Sequence, residues 1–103
     1  MTAIVPDPEA CQTMAEVRAG VDAVDLELVR LLVRRFGYMD AAARIKADRG
    51  AVRDEARKAQ VIANVRAAAA AHGLSGDRLA AVWDVLVEQS IAHEFDQWDE
   101  LRA

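Results

Sequence analysis

A single cysteine, Cys11, rules out any intrachain disulfide, so nothing covalent staples this chain and a reducing compartment suits it. Proline is nearly as scarce: both copies, Pro6 and Pro8, stand close to the N-terminus. Only five glycines punctuate 103 residues. Strand-rich folds need frequent Gly and Pro turns, so from about Cys11 onward the chain reads as helix and the fold class is all-α. Aromatic residues make up 5% of the chain against 53% for hydrophobic residues as a whole, which leaves the core to Leu, Val, Ile and Ala. No apolar run approaches the roughly 20 residues that span a bilayer, and no charged-then-apolar leader opens the chain. A cytoplasmic protein without a membrane partner is the expectation. Basic charge is also short, with 13 Lys and Arg against 17 Asp and Glu and a net charge of −4. That is the wrong overall sign for a nucleic-acid partner, whose affinity rests on neutralising phosphates. A local basic pocket for a small anion stays open.

What the chain does have is helical punctuation. In "TMAE", Thr13 and Glu16 form a capping box that starts a first helix, expected over residues 13–47. Gly20 and Gly37 lie inside it, each costing up to ~1 kcal/mol relative to Ala. Gly50, in "ADRGAVRD", is the expected stop, with residues 48–53 as a loop. Asp54 caps a second helix over 54–72, Gly73 takes the position after it, and Ser75 or Asp77 caps a third over 75–101. With a lead-in of residues 1–12, this makes one domain of three helices. A first helix of about 34 residues is roughly 50 Å long at 1.5 Å per residue. A compact chain of this size has a radius of gyration of only ~13 Å. The apolar stripe runs the whole helix, so a second protomer is expected to cover it in an intertwined homodimeric bundle.

The stripe has an interruption. Steps of three and four from Met14 give Val17, Val21, Val24, Leu28, Leu31, then Arg35, followed by Tyr38, Ala42 and Ile45. A lone arginine can snorkel out of such a seam, and Arg34 beside it permits a one-residue slip. Other helices carry similar interruptions, however. Lys46 lies three turns beyond Arg35 and returns to nearly the same face. Arg57 heads the stripe Arg57, Val61, Val65, Ala68, and the third helix runs Leu79, Trp83, Leu86, Ser90, Glu94, Gln97, Leu101. Isolated buried charges cost several kcal/mol, so a group of them implies mutual pairing or a bound counter-ion. The cations Arg35, Lys46 and Arg57 outnumber Glu94, which points to a pocket for a small polyanion. Arginine forks match carboxylates in bidentate fashion, which favours a di-acid over a phosphate only weakly. His72 beside Gly73 reads as a helix-end residue. "HE" at 93–94 lacks the second His of a helical zinc motif, so no metal is expected. Cys11 has no His partner, the alanines at 67–71 suit close packing, and no Gly-rich phosphate loop occurs, so no cofactor is expected.

Three strings, "VRAGVDAVDLELVRLLVRRFGYMDAAARIK", "VRDEARKAQVI" and "VEQSIAHEFDQW", resemble the all-helical chorismate mutases and the related isochorismate pyruvate lyases. The resemblance covers about residues 8–98. It implies a homodimer without metal or cofactor, acting on a small dicarboxylate. By position, Arg18 resembles the arginine that enters the neighbouring protomer's site, and Arg35 the arginine that grips a substrate carboxylate. Lys46 matches the lysine that binds a carboxylate and the ether oxygen of the breaking bond. Arg57 resembles the arginine after the mobile loop, and Asp54 and Ser90 match pocket positions. The implied reaction is the concerted rearrangement of chorismate to prephenate, a step of aromatic amino acid biosynthesis. Glu94 stands where the family usually has glutamine, and must be protonated to donate a hydrogen bond. Lys58 stands where many mutases have a glutamate contacting the substrate hydroxyl, which leaves room for an amino analogue of chorismate. "PEAC" and "AAARIKA" resemble the lyases, which convert isochorismate to salicylate and pyruvate; Ser90 and "VRDEAR" resemble the mutases, the favoured reading. A non-catalytic helical dimer would account for the amphipathic helices and leave the inward cations unexplained.

Overall fold

The computed structural model describes residues 5–103 and contains three helices, with no strand among the described residues: α1 (Met14–Ile45), α2 (Glu55–Ala71) and α3 (Gly76–Leu101). Short 3₁₀ turns occupy Pro8–Ala10 and Arg49–Ala51. The chain divides into two compact units, one ending at Arg35 and one beginning at Phe36. None of the described helices is long and apolar enough to cross a membrane.

Helix starts follow the local chemistry of the sequence. At α1, the Glu16 backbone N–H donates to Thr13 Oγ1 at 3.2 Å. The Glu16 carboxylate accepts from the Gln12 backbone N–H and from Thr13 Oγ1, each at 3.2 Å, so this capping box reaches one residue further back than usual. Asp54 Oδ1 caps α2 by accepting from the Arg57 N–H at 3.0 Å. Of the two candidate caps for α3, Ser75 is the one used: its Oγ accepts from the Arg78 N–H at 3.3 Å, while Asp77 sits in the first turn and pairs with Arg66 of α2. Gly73, at φ 76°, ends α2 in a left-handed turn that suits only glycine cheaply. Leu74 N–H bonds Ala69 O at 2.9 Å and Gly73 N–H bonds Ala70 O at 3.1 Å, the paired closure of a Schellman motif.

The end of α1 departs from expectation. It stops at Ile45, short of Ala47, and Gly50 lies in the following 3₁₀ turn and is not its cap. The closing donors come from Trp98 of α3 and from Arg102, the residue that caps it. Arg102 Nη1 donates to Ala43 O at 3.1 Å, and Lys46 O accepts from both Trp98 Nε1 at 3.1 Å and Arg102 Nη2 at 2.8 Å. The last carbonyls of a helix lack partners of their own, and here a neighbouring helix supplies them.

Within the C-terminal unit the core is Val52, Val87 and Ile91, packed by Val61, Trp83, Phe95 and Trp98. Ala69 and Ala80 are buried, and a Cβ added to Gly76 would meet Arg66 O at 3.4 Å, so small residues let α2 and the start of α3 approach closely. On α2 the inner stripe is Lys58, Val61, Ile62, Val65 and Ala69, all buried or half-buried; Arg57 and Ala68 are exposed. The expected stripe was therefore one residue out at both ends.

Ion pairs bind the segment before α2, and α2 itself, to α3. Arg53 forks onto Glu88 at 2.8 and 3.1 Å and also reaches Glu55 at 2.8 Å. Lys58 Nζ bridges Asp84 at 3.0 Å and Glu88 at 2.9 Å. Hydrogen bonds from Arg53 and then Lys58 hold the Glu88 carboxyl down to about 2, from an ordinary 4.5. The ionised form is thus favoured by folding. Its stabilising contribution is complete above about pH 4.5 and fades as pH falls toward 2. Glu88→Gln is expected to lower the melting temperature near neutrality, with the gap to the unsubstituted protein closing between those two pH values. A gap that persists unchanged at pH 2 would place the effect elsewhere.

In the N-terminal unit, the lead-in lies along α1 so closely that a Cβ on Gly20 would stand 3.4 Å from Val5 Cγ1. Met14, Val21, Val24, Leu28 and Leu31 are each about half exposed, from 47% to 63%. The apolar stripe of α1 is uncovered there in the single chain.

Candidate active site

Lys46 is the first residue beyond α1, and both ends of it are held. Its N–H completes the last turn through Ala42 O at 2.9 Å, and its carbonyl takes the two donors from α3 described above. Its ammonium donates to Glu94 Oε2 at 2.7 Å and to Val52 O at 3.4 Å. An ammonium has three N–H donors, so with these two acceptors among the described residues one is left for a ligand. The Lys46 side chain is 30% exposed and that of Glu94 only 5%, so the pair has a wet end and a dry end. Burial of a carboxylate at this level is costly unless it is paired, and the short contact with Lys46 supplies the pairing.

Glu94 owes its position to the periodicity of α3, which buries Ala80, Val87, Ser90, Ile91 and Glu94. Ser90, one turn earlier, is 3% exposed, and its Oγ donates to Leu86 O at 2.7 Å. Lys46, Glu94 and Ser90 are thus the expected site residues that the C-terminal unit buries or half-buries, and Lys46 and Glu94 are in direct contact.

The remaining expected residues are placed as follows. Arg18 is exposed on α1 and Arg35 is half-buried on the same helix. Asp54 is exposed and spends one carboxylate oxygen on the N-cap of α2. Arg57, expected to head an inward stripe, is exposed, and its Nη1 donates to Gln60 Oε1 at 2.6 Å, one turn along its own helix. Without Arg57 the Lys46–Glu94 pair is charge-balanced, so the expected surplus of cations around Glu94 is not supplied by α2. Lys58, next in sequence, does point inward, but the carboxylates of Glu88 and Asp84 engage its ammonium and raise its pKa above the ordinary lysine value. His72 is the C-cap of α2. His93 lies 2.6 Å from Asp40 Oδ1 through Nε2 and packs edge-on against Phe36 at 5.0 Å between ring centroids, so neither histidine joins the pair. Cys11 is half-buried, its thiol 4.0 Å from Pro6 O.

Sequence reading missed Trp98 and Arg102. A tryptophan near the end of an amphipathic helix was a usable sign, because a packed indole N–H needs an acceptor. Nothing in the local sequence marks Arg102.

A cation and a carboxylic group facing each other at 2.7 Å, anchored by two helices, can address one ligand oxygen from two sides. Residues 17–95 match the family model described as chorismate mutase type II. The chain belongs to that family. An isochorismate pyruvate lyase of Pseudomonas aeruginosa is 30% identical over 95 residues, which covers 92% of this chain and 94% of the lyase. The match to the type II chorismate mutases takes in Arg18, Arg35, Lys46, Asp54, Arg57, Ser90 and Glu94, and stops short of Trp98 and Arg102.

Proposed function

We propose that this protein is a chorismate mutase that rearranges chorismate to prephenate without metal or cofactor, as a homodimer. The observation that carries the reading is the Lys46–Glu94 contact at 2.7 Å. In the concerted rearrangement the ether C–O bond breaks as a C–C bond forms, and negative charge grows on the ether oxygen. Hydrogen-bond donors aimed at that oxygen stabilise the transition state more than the ground state. Lys46 is one donor, and Glu94 in its protonated form is the other. Arg35 grips a substrate carboxylate, Arg18 is contributed across the dimer, and Asp54, Arg57 and Ser90 complete the binding set, with the chair-like conformer held by these contacts.

The uncovered stripe of α1 supports the dimer, since Leu28, Leu31 and Val24 are 47%, 63% and 54% exposed in the single chain. Sedimentation equilibrium is expected to give twice the chain mass; a monomer at micromolar concentration would contradict it.

The kinship with a lyase supports a second reading, cleavage of isochorismate to salicylate and pyruvate. That reaction breaks the same kind of ether bond, so Lys46 would serve it equally. Separate incubation with chorismate and isochorismate, followed by assay for prephenate, pyruvate and salicylate, decides between them. Prephenate from chorismate is expected as the main product. Salicylate and pyruvate from isochorismate alone would install the lyase, and turnover of neither would remove both readings.

A further inference from the structure

We propose that Trp98 and Arg102 are positioning residues that hold Lys46 in register with Glu94; this rests on Lys46 being the group that meets the breaking ether bond. Lysine reaches its target through four rotatable bonds, so where its ammonium goes depends on where its backbone is fixed. The Lys46 backbone stands just outside α1: its N–H still closes the last turn on Ala42 O at 2.9 Å, but its carbonyl lies past the end of the helix. Two donors from the last turn and the C-cap of α3 restore the constraint at the Lys46 carbonyl, Trp98 Nε1 at 3.1 Å and Arg102 Nη2 at 2.8 Å. The other arm of the Arg102 guanidinium takes Ala43 O at 3.1 Å, so one planar fork spans the final turn of α1. The fork is itself seated: Arg102 Nη1 also reaches Trp98 O at 3.3 Å, and its central carbon stands 4.1 Å from the Trp98 ring centroid. One turn of α3 separates Trp98 from Glu94. The helix that presents the carboxylic group therefore also grips the backbone of the lysine facing it.

This arrangement converts two residues on separate elements into one unit. Loss of the grip lets the Lys46 backbone shift relative to α3, and a displacement of about 1 Å at a reacting centre is enough to cost roughly 10²-fold in rate. The side-chain contacts at Glu94 and Val52 O do not replace it. In the mutase reading the contact with Glu94 opens to admit the substrate's ether oxygen, at the moment when position matters most.

The test uses Arg102→Met and Trp98→Phe, the second of which keeps an aromatic ring while removing the indole N–H. Each is made in the unsubstituted protein and in a Lys46→Met background, and kcat and KM are measured on whichever of chorismate or isochorismate is turned over. Each substitution is expected to lower kcat by about tenfold or more, with KM within about threefold, and to cause less than a twofold further loss once Lys46 is gone. A kcat within twofold of the parent, or an equal loss in both backgrounds, overturns the proposal. Should Arg102→Met fail to fold, Trp98→Phe decides. Should neither substrate react, the functional reading fails on its own, and the positioning claim is judged by the ¹⁵N-lysine ammonium spectrum. There the Lys46 resonance is expected to broaden or vanish in both variants, and an unaltered resonance overturns it.

Discussion

Lys46→Met is expected to reduce turnover by about 10²–10³-fold, the usual cost of deleting one donor to a developing oxyanion. The same change is expected to destabilise the fold by about 1–3 kcal/mol, because it strands the carboxylate of Glu94, whose side chain is only 5% exposed and now lies against the ammonium. The two effects separate in a second variant. Lys46→Met combined with Glu94→Gln removes the stranded charge and is expected to recover most of the lost stability, measured by denaturant unfolding, while turnover stays low. Recovery of turnover along with stability would mean that Lys46 serves the fold and not the chemistry. The reverse result, a catalytic loss with no change in stability, would contradict the burial of the pair.

Glu94→Gln carries the second large effect. A carboxylate only accepts hydrogen bonds, and in the free chain Glu94 accepts from Lys46 at 2.7 Å. To present a donor to the ether oxygen it must carry a proton. Turnover of the unsubstituted protein is therefore expected to decline as pH rises. Glutamine donates at every pH. Glu94→Gln is expected to give a flat profile that crosses above the parent at the alkaline end. A parent profile that is already flat from the acid range to neutrality would show that Glu94 does not act as a donor.

The parts of this structure that were legible in the sequence are those whose partners are close in sequence. Thr13, Asp54, Ser75 and Gly73 begin or end helices through groups within five residues of them, so punctuation alone located them. The face of α3 that carries Trp83, Leu86, Ser90 and Glu94 was legible through its period, because a long helix with one buried side must repeat. The end of α1 was not legible, since its closing donors lie 52 to 59 residues away in the chain. Arg57 shows a different limit. In the first turn of α2 periodicity is backed by little packing, and a long side chain there can turn along its own helix to Gln60, leaving the inward position to Lys58. The cost of burying a lone charge left mutual pairing or a bound counter-ion open in the sequence; the structure pairs Lys46 with Glu94, and Arg57 is not beside them.

The most direct single measurement is a crystal structure of the protein with a bicyclic ether dicarboxylate that mimics the chair-like transition state. With this ligand bound, the Lys46–Glu94 contact is expected to open from 2.7 Å, with the ligand's ether oxygen within hydrogen-bond reach of both side chains. A ligand seated elsewhere, with that contact still closed, would contradict the assignment of this pair to the chemistry.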